Sequence, residues 1–406
     1  MGATRIQVIT GTRADYGLLH PLITLLEGDP EFDVAVVVTG THLSERFGLT
    51  VREIEAHGHR ILARIPIGLD DDSEAGVTKA TAEAMAGFAD VFARDRPDLV
   101  VILGDRTEAL AAATAALLTR VPIAHIHGGE LTAGATDDAI RHAITKMSWL
   151  HFASTEEYRR RIIQLGEDPS RVYCVGAPGV DNALNTPLLT RAQLEADLGP
   201  VFGSRTALVT FHPVTLEDHS APDQFASLAA ALGSFPDLSV IVTKPNADAG
   251  NRDLFDALAR FAEGHPESVR VFDSLGVSRY LSILAQADVC VGNSSSGIIE
   301  SPALGTPTVD IGDRQAGRVS GASVLHCDPE EAAIRDAVAR ALTPEMQALA
   351  ARRVTPYGDG RATHRIADIL RSATPGLGSI KKHFHDLPEG IDHTITGDHE
   401  GGPAHV

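Results

Sequence analysis

The sequence predicts an α/β chain folded as two doubly wound lobes with parallel sheets. Three observations carry this. Apolar, β-rich runs alternate with helical patterns, as parallel strands joined by crossover helices do. The alternation breaks at a polar stretch, residues 185–204, and then starts again. A length of 406 residues, 43% of them hydrophobic, suffices for two cores of ordinary size.

In the first lobe the pattern predicts strands at 6–10, 34–38, 99–103 and 123–126, with helices at 18–26 and 108–118. In the second it predicts strands at 207–211, 238–243, 269–272, 289–291 and 308–311. Ligands of such sheets sit beyond the carboxyl ends of the strands, so a two-lobed chain is expected to bind in the cleft between its lobes. Residues 388–406, rich in Gly, His and acids and without apolar periodicity, read as a disordered tail.

Composition excludes several classes. A net charge of −19 argues against nucleic acid or an anionic membrane as partner, because either would need a basic face. No window approaches the roughly 18 uninterrupted apolar residues of a membrane helix, and no leader pattern opens the chain, so a cytoplasmic protein is expected. The three cysteines, Cys174, Cys290 and Cys327, lack metal-ligand spacing and read as buried apolar residues in a reducing compartment.

Four motifs fall just past strand ends. Gly11-Thr12-Arg13-Ala14-Asp15-Tyr16-Gly17 is no dinucleotide glycine loop; it offers Arg13, whose planar donor fork suits phosphate. Gly292-Asn293-Ser294-Ser295-Ser296-Gly297 is small enough to wrap a phosphate at a helix amino end, and one serine cap would not explain three serines in a row. Glu300, a turn further on, can accept from ribose hydroxyls. The densest stretch sets Asp105 and Arg106 after one strand and His125-Ile126-His127-Gly128-Gly129-Glu130 after the next. There Thr136 is expected to cap a helix that puts Asp138, Arg141 and His142 on one face. Carboxylates converging from three chain segments can push their pKa values apart and so supply an acid and a base. His125, His127 and Glu130 lack the spacing of a metal triad, so no metal is expected. His212 ends the second lobe's first strand, where it can protonate or hydrogen-bond a phosphate; Asn246 and Arg314 follow later strands of that lobe.

Taken together, Gly11-Thr12-Arg13-Ala14-Asp15-Tyr16, His-Ile-His-Gly-Gly-Glu, the run from Asp137 to Lys146, and Gly292 to Gly297 resemble the hydrolysing UDP-N-acetylglucosamine 2-epimerases of sialic-acid synthesis, and the likeness extends to about Asp386. The resemblance implies a GT-B-like pair of Rossmann-like lobes, 1–184 and 205–352. A linker at 185–204 would join them, and a helical segment at 353–387 would cross back to the first lobe. It also implies a homodimer or dimer of dimers without a cofactor. By motif, Arg13, Arg106, His212, Asn246, Ser294, Ser295, Glu300 and Arg314 fall on nucleotide-contacting positions, and Asp105, Glu130 and Asp138 on or beside essential acids. Similar sequences usually carry His where this chain has Trp149, eleven residues beyond Asp138. If the helix begun at Thr136 continues, Trp149 shares the face of Asp138 and could line the sugar site; packing against the sheet is the other reading.

The expected reaction releases UDP and N-acetylmannosamine from UDP-N-acetylglucosamine through C2 deprotonation to a glycal, followed by hydration. Asp105 is the first choice of base, with Glu130 and Asp138 as alternatives. Rival readings are the same chemistry on a UDP-linked 2,4-diacetamido-2,4,6-trideoxyglucose or a GDP-sugar, a GT-B glycosyltransferase, and a nucleotide-sugar-binding regulator without turnover.

Overall fold

A computed structural model describes residues 2–71, 73–132, 136–212, 220–244, 251–374 and 380–387. The first lobe runs β1 (Thr4–Thr10), α1 (Arg13–Glu27), β2 (Phe32–Thr39), α2 (Val51–Ala56), β3 (Ile61–Ile65), α3 (Glu74–Arg94), β4 (Leu99–Leu103), α4 (Thr107–Leu118), β5 (Ile123–Ile126), α5 (Thr136–Met147), β6 (Leu150–Ala153), α6 (Glu156–Gln164), β7 (Val172–Cys174) and α7 (Pro178–Asn185). Next come α8 (Arg191–Leu198), β8 (Arg205–Thr210), α9 (Ser220–Gly233), β9 (Leu238–Thr243), α10 (Asn251–Gly264), β10 (Val269–Phe272), α11 (Gly276–Leu284), β11 (Val289–Gly292), α12 (Ser295–Leu304), β12 (Thr308–Ile311) and β13 (Val324–Cys327). The chain closes with α13 (Glu331–Ala341), α14 (Pro344–Ala350) and α15 (Ala362–Ala373). The stretch read as a linker therefore contains a helix, α8, whose Leu194 is buried.

All pairings are parallel. The sheets have the orders β3-β2-β1-β4-β5-β6-β7 and β10-β9-β8-β11-β12-β13. In both, the chain starts in the middle, winds to one edge and returns to wind to the other. The order thus reverses between β1 and β4, and between β8 and β11, and these are the points at which a doubly wound sheet opens a crevice. The strands are apolar on both faces: β2 reads Phe-Asp-Val-Ala-Val-Val-Val-Thr with only Asp33 half-exposed, as sheets covered on both sides require. Helices α1 and α15 cover one face of the first sheet, sharing a core of Leu19, Leu22, Ile23, Leu26, Ile366 and Leu370. Phe88, Phe92 and the alanines of α4 fill the other face. A further cluster joins the lobes, setting Tyr158 and Val180 with Leu275 and Ile298.

The return of α15 to the first lobe depends on one carboxylate. The residue before α15, Arg361, makes no side-chain cap. Asp181 of α7 supplies it across the chain, accepting from the Ala362 N–H (2.8 Å), the Thr363 N–H (2.7 Å) and the Thr363 hydroxyl (2.7 Å). It is 3% exposed, so these bonds form where unpaired N–H groups are costly.

Three expectations are corrected. Helix α5 ends at Met147, before Trp149, whose N–H donates to the Ile123 carbonyl at 2.8 Å and so starts the β5–β6 ladder. Trp149 stands at the amino end of β6, opposite the strand ends that carry the motifs. It packs beside the first lobe's core with the Arg171 guanidinium 4.1 Å from its ring centroid. It cannot share a site with Asp138, and packing is its role. Of the cysteines only Cys290 is buried; Cys174 is exposed and Cys327 half-buried. Helix α5 starts at Thr136, which is therefore its first residue and not its cap; Asn246 and the tail at 388–406 lie outside the described residues. Among the described residues no helix is long and apolar enough to cross a membrane.

Asp181→Ala should cost about 2–3 kcal/mol of stability, since it orphans buried donors, and Asp181→Asn, which keeps an acceptor, should cost less. Denaturant melts of the three proteins test this; coincident midpoints would show that α15 does not depend on the cap.

Candidate functional site

Each switch point is flanked by two of the motifs. Beyond β1, the Thr12 side chain accepts from the Asp15 N–H and caps α1, while the Asp15 carboxylate accepts from the Gly11 N–H (3.0 Å), the Thr12 N–H (3.0 Å) and the Thr10 hydroxyl (2.6 Å). Asp15 therefore folds the loop, and exposed Arg13 is presented at the first position of α1. One turn on, Gly17 faces Val277 of α11; a Cβ at Gly17 would come within 3.2 Å of that side chain. Beyond β4, Arg106 Nε lies 3.4 Å from Glu108 Oε2. Glu108 is 5% exposed and packs beneath Gly11 and Gly40, where a Cβ at Gly40 would approach it to 2.8 Å.

Asp105, Asp138 and Glu130 are brought together, and a buried guanidinium does it. Arg141, with a side chain only 2% exposed, donates to Asp105, to Asp138 Oδ1 (3.4 Å), to the Glu130 carbonyl (3.0 Å) and to the Thr132 hydroxyl (2.8 Å). Asp138 Oδ1 also accepts from the Thr132 N–H at 2.9 Å, and its other oxygen lies 3.5 Å from His142 Nε2. Asp105 and Asp138 keep 22% and 32% of their side chains exposed. Glu130 keeps 3%.

Glu130 is enclosed by partners from both lobes. One oxygen accepts from the Ser154 hydroxyl (2.7 Å) and pairs with His127 Nδ1 (2.5 Å), and the other pairs with Arg318 of the second lobe at 3.0 Å. Arg318 also donates to the Leu131 carbonyl (2.9 Å) and the Thr132 hydroxyl (3.2 Å). Burial pushes the Glu130 carboxyl up, but the His127 ring and the Arg318 cation outweigh it and hold it down at about 2. Burial and the neighbouring Arg318 charge draw Arg141 down. His127 sits at a φ of 67°, in the left-handed region, and its Nε2 has no hydrogen-bond partner among the described residues. Gly129, with a φ of 77°, lets the turn pass under α6: a Cβ there would lie 2.4 Å from the Tyr158 carbonyl.

In the second lobe, buried Asn293 ties the two strand ends. Its side chain accepts from the His212 N–H (2.7 Å) and donates to the His212 carbonyl (2.8 Å), and its own carbonyl accepts from Arg314 (2.9 Å) and Gln315 (2.8 Å). Gly292, at a φ of 141°, permits this closure, since a Cβ would lie 2.0 Å from the Thr210 carbonyl. Ser294 caps α12 by accepting from the Ser296 N–H, Ser295 opens the helix, and Gly297 packs on Thr308. Burial and the Arg314 charge hold His212 down at about 3, so the ring is neutral at physiological pH. Glu300 lies against α7, where Gly179 leaves it room, and burial pushes its carboxyl up.

The acids and the serine loop are legible in the sequence, whereas the contacts that hold them are not: Arg318 on Glu130, the Asn293 amide on the His212 backbone, Glu108 on Arg106, and His127 on Glu130. Arg141 was seen only as a helical neighbour of Asp138. The one available signal was the abundance of hydrogen-bonding residues in otherwise apolar strand-end segments.

Two doubly wound lobes with their switch points turned toward one another define the GT-B-like class. A solved UDP-N-acetylglucosamine 2-epimerase from Neisseria meningitidis, bound to its namesake sugar nucleotide, superposes with a TM-score of 0.78 over 91% of this chain and 100% of its own, at 18% identity. Residues 24–371 match the family model of UDP-N-acetylglucosamine 2-epimerase, and the chain belongs to that family. Among relatives, a GDP/UDP-N,N'-diacetylbacillosamine 2-epimerase (hydrolyzing) of Campylobacter jejuni is 39% identical over 80% of this chain and 84% of its own. Polysialic acid biosynthesis protein P7 of Escherichia coli is 35% identical over 95% and 98%. The resemblance read from the motifs is borne out.

Because the folded Glu130 carboxyl lies below its ordinary value, its contribution to stability is complete above about pH 4.5 and is lost as pH falls through about 2. The gap in unfolding free energy between the native protein and Glu130→Gln should therefore be widest above pH 4.5 and should shrink on acidification. A gap independent of pH, measured by denaturant titration across that range, would refute the ionic role of Glu130.

Proposed function

We propose that the protein is a hydrolysing 2-epimerase that converts UDP-N-acetylglucosamine and water to N-acetylmannosamine and UDP. The observation that carries this reading is the convergence of Asp105, Asp138 and the Glu130–His127 pair on Arg141, across the cleft from the amino end of α12. Acids able to take and return a proton then stand opposite a helix end able to hold a diphosphate. That the Campylobacter relative is a hydrolyzing 2-epimerase supports the loss of the nucleotide.

The C2 proton of the sugar is not acidic, so its removal must be coupled to breakage of the C1–O bond, whose electron pair leaves with UDP. Arg13, Arg106, Arg314, Ser294, Ser295, Ser296 and Gly297 hold the diphosphate and stabilise the charge that develops on it; Glu300 and Asn246 hold the nucleoside side. His212, neutral beside Arg314, donates an N–H to a phosphate oxygen. Arrival of the dianion raises its pKa and lets it protonate the leaving group. Asp105 takes the C2 proton, since its carboxylate is reachable while the Glu130 carboxylate is enclosed and held at about 2. Glu130 instead orients His127, whose unpartnered Nε2, after taking a proton from solvent, can deliver it to the opposite face of C2 as water adds at C1 and gives its own proton back to solvent. Asp138, sharing Arg141 with Asp105, keeps that pair of acids at fixed spacing.

A UDP-linked 2,4-diacetamido-2,4,6-trideoxyglucose is the second reading of the substrate, favoured by the 39% identical N,N'-diacetylbacillosamine 2-epimerase. Incubation with both UDP-sugars, and with GDP analogues, in D2O and without any acceptor tests the reaction and its substrate together. The expected products are UDP and a free C2-inverted sugar with one deuterium at C2. Recovery of the sugar still linked to UDP would replace hydrolysis by simple epimerisation, and retention of the original C2 hydrogen would remove elimination.

Asp105→Asn should lower kcat by about 10²- to 10⁴-fold with nearly unchanged UDP affinity, because the acid acts on the sugar and not on the nucleotide. A comparable loss of UDP binding, measured by calorimetry, would move Asp105 to the nucleotide site.

A further inference from the structure

At the amino end of edge strand β3, opposite the strand ends that carry the motifs, three imidazoles converge. His20 lies on α1; His57 and His59 flank Gly58 in the turn between α2 and β3, which a φ of 79° at the glycine reverses. One nitrogen from each ring lies within 4.8 Å of the others. His20 Nδ1 and His59 Nε2 are 2.8 Å apart, and the Tyr16 hydroxyl lies 2.7 Å from His57 Nδ1 and 3.4 Å from His20 Nδ1. The His20 and His57 rings stack with centroids 4.1 Å apart. None of these groups takes part in the proposed reaction.

We propose that His20, His57 and His59 form a binding site for a divalent ion of the zinc type, which fastens α1 to the turn that leads into β3. Three features support a cation. His59 is 7% exposed, and its Nδ1 lies 2.7 Å from Glu27 Oε2, so the carboxylate fixes the tautomer with its proton on Nδ1 and leaves the Nε2 lone pair aimed at His20. A carboxylate gripping the far nitrogen of a ligating imidazole is the arrangement metal sites use to orient and enrich the donor. The His20 and His57 rings stack beside His59 with the Tyr16 hydroxyl against both, so an oxygen stands together with the three nitrogens in one donor set. The groups that face the cluster, Glu27 and Glu53, are acidic and favour a cation.

All three donors are imidazole nitrogens, which selects a borderline ion such as zinc over calcium or magnesium. The Tyr16 oxygen or a water completes four-coordination. At metal–nitrogen lengths of about 2.0–2.1 Å a tetrahedral ion sets its donors roughly 3.3 Å apart. His20 and His59 thus need to separate by about half an ångström, and exposed His57 has room to turn inward. Without an ion the same nitrogens can satisfy one another through shared protons, and that is the alternative the experiment decides.

The untagged full chain, stripped with a chelator, is titrated with zinc by calorimetry and with cobalt(II) by absorption. The expected result is one ion per chain, the visible bands of tetrahedral cobalt, and a zinc-dependent rise in Tm. His57→Gln, at an exposed position that folding tolerates, should abolish the bands and the rise, and Glu27→Gln should weaken binding by about 10- to 100-fold. Replacing His393, His399 and His405 together by Ala should leave binding unchanged. The proposal is overturned if no stoichiometric binding occurs at about 0.1 mM zinc. It is equally overturned if binding survives His57→Gln and His59→Gln, or disappears with the tail histidines alone.

Discussion

Two buried guanidinium groups govern the architecture of the cleft. An arginine stays charged wherever it is placed, and a charge taken out of water is tolerated only when hydrogen-bonded partners surround it. Arg141 meets that demand by drawing in Asp105 from beyond β4, the Glu130 carbonyl and Thr132 from beyond β5, and Asp138 from its own helix. Three separate chain segments are thereby held in register by one planar donor. Arg318 makes a matching demand from the second lobe and finds it met by Glu130, Leu131 and Thr132. Loss of Glu130 would leave Arg318 a buried charge without its carboxylate, and loss of Asp105 or Asp138 would weaken the hold on Arg141, so the spacing of the acids and the approach of the lobes are set by the same constraint.

Where periodicity and local chemistry decide, the chain was legible. The long strands β1, β2, β8 and β9 announce themselves as apolar runs, and the motifs past their ends locate both switch points. The short outer strands β3, β6, β7 and β13 were not seen. They run three to five residues, and β3 reads Ile-Leu-Ala-Arg-Ile with little buried, so pairing with the inner strands makes them strands. Of the two readings of Trp149 the packing one holds for the same reason: a helical pattern runs into a residue whose N–H is needed by the Ile123 carbonyl, and the ladder prevails.

In the site, the acids were legible because paired carboxylates at strand ends are conspicuous, whereas their organisers act across the sequence. Asp181 caps a helix 181 residues away, and Arg318 lies 187 residues from the Leu131 carbonyl it binds. No spacing rule reaches that far. Asn293 was visible inside the serine motif, yet only the fold reveals that its amide clamps the His212 backbone and leaves the serines beside it to cap and open α12.

The charge distribution reconciles a net charge of −19 with the anion site that the proposed reaction requires. Exposed charges are screened beyond about 8–10 Å, so the acidic surface counts for little against groups that touch a ligand. At the switch points the local sign is reversed. Helices α1 and α12 point amino ends there, each equivalent to roughly half a positive charge, and Arg13 and Arg314 stand at those ends. The acids nearest the cleft are already engaged by Arg141 and Arg318, and Glu108 pairs with Arg106. Under the proposed reaction, pairing the carboxylates internally does two things at once: it fixes them for proton transfer, and it stops them from repelling the departing anion.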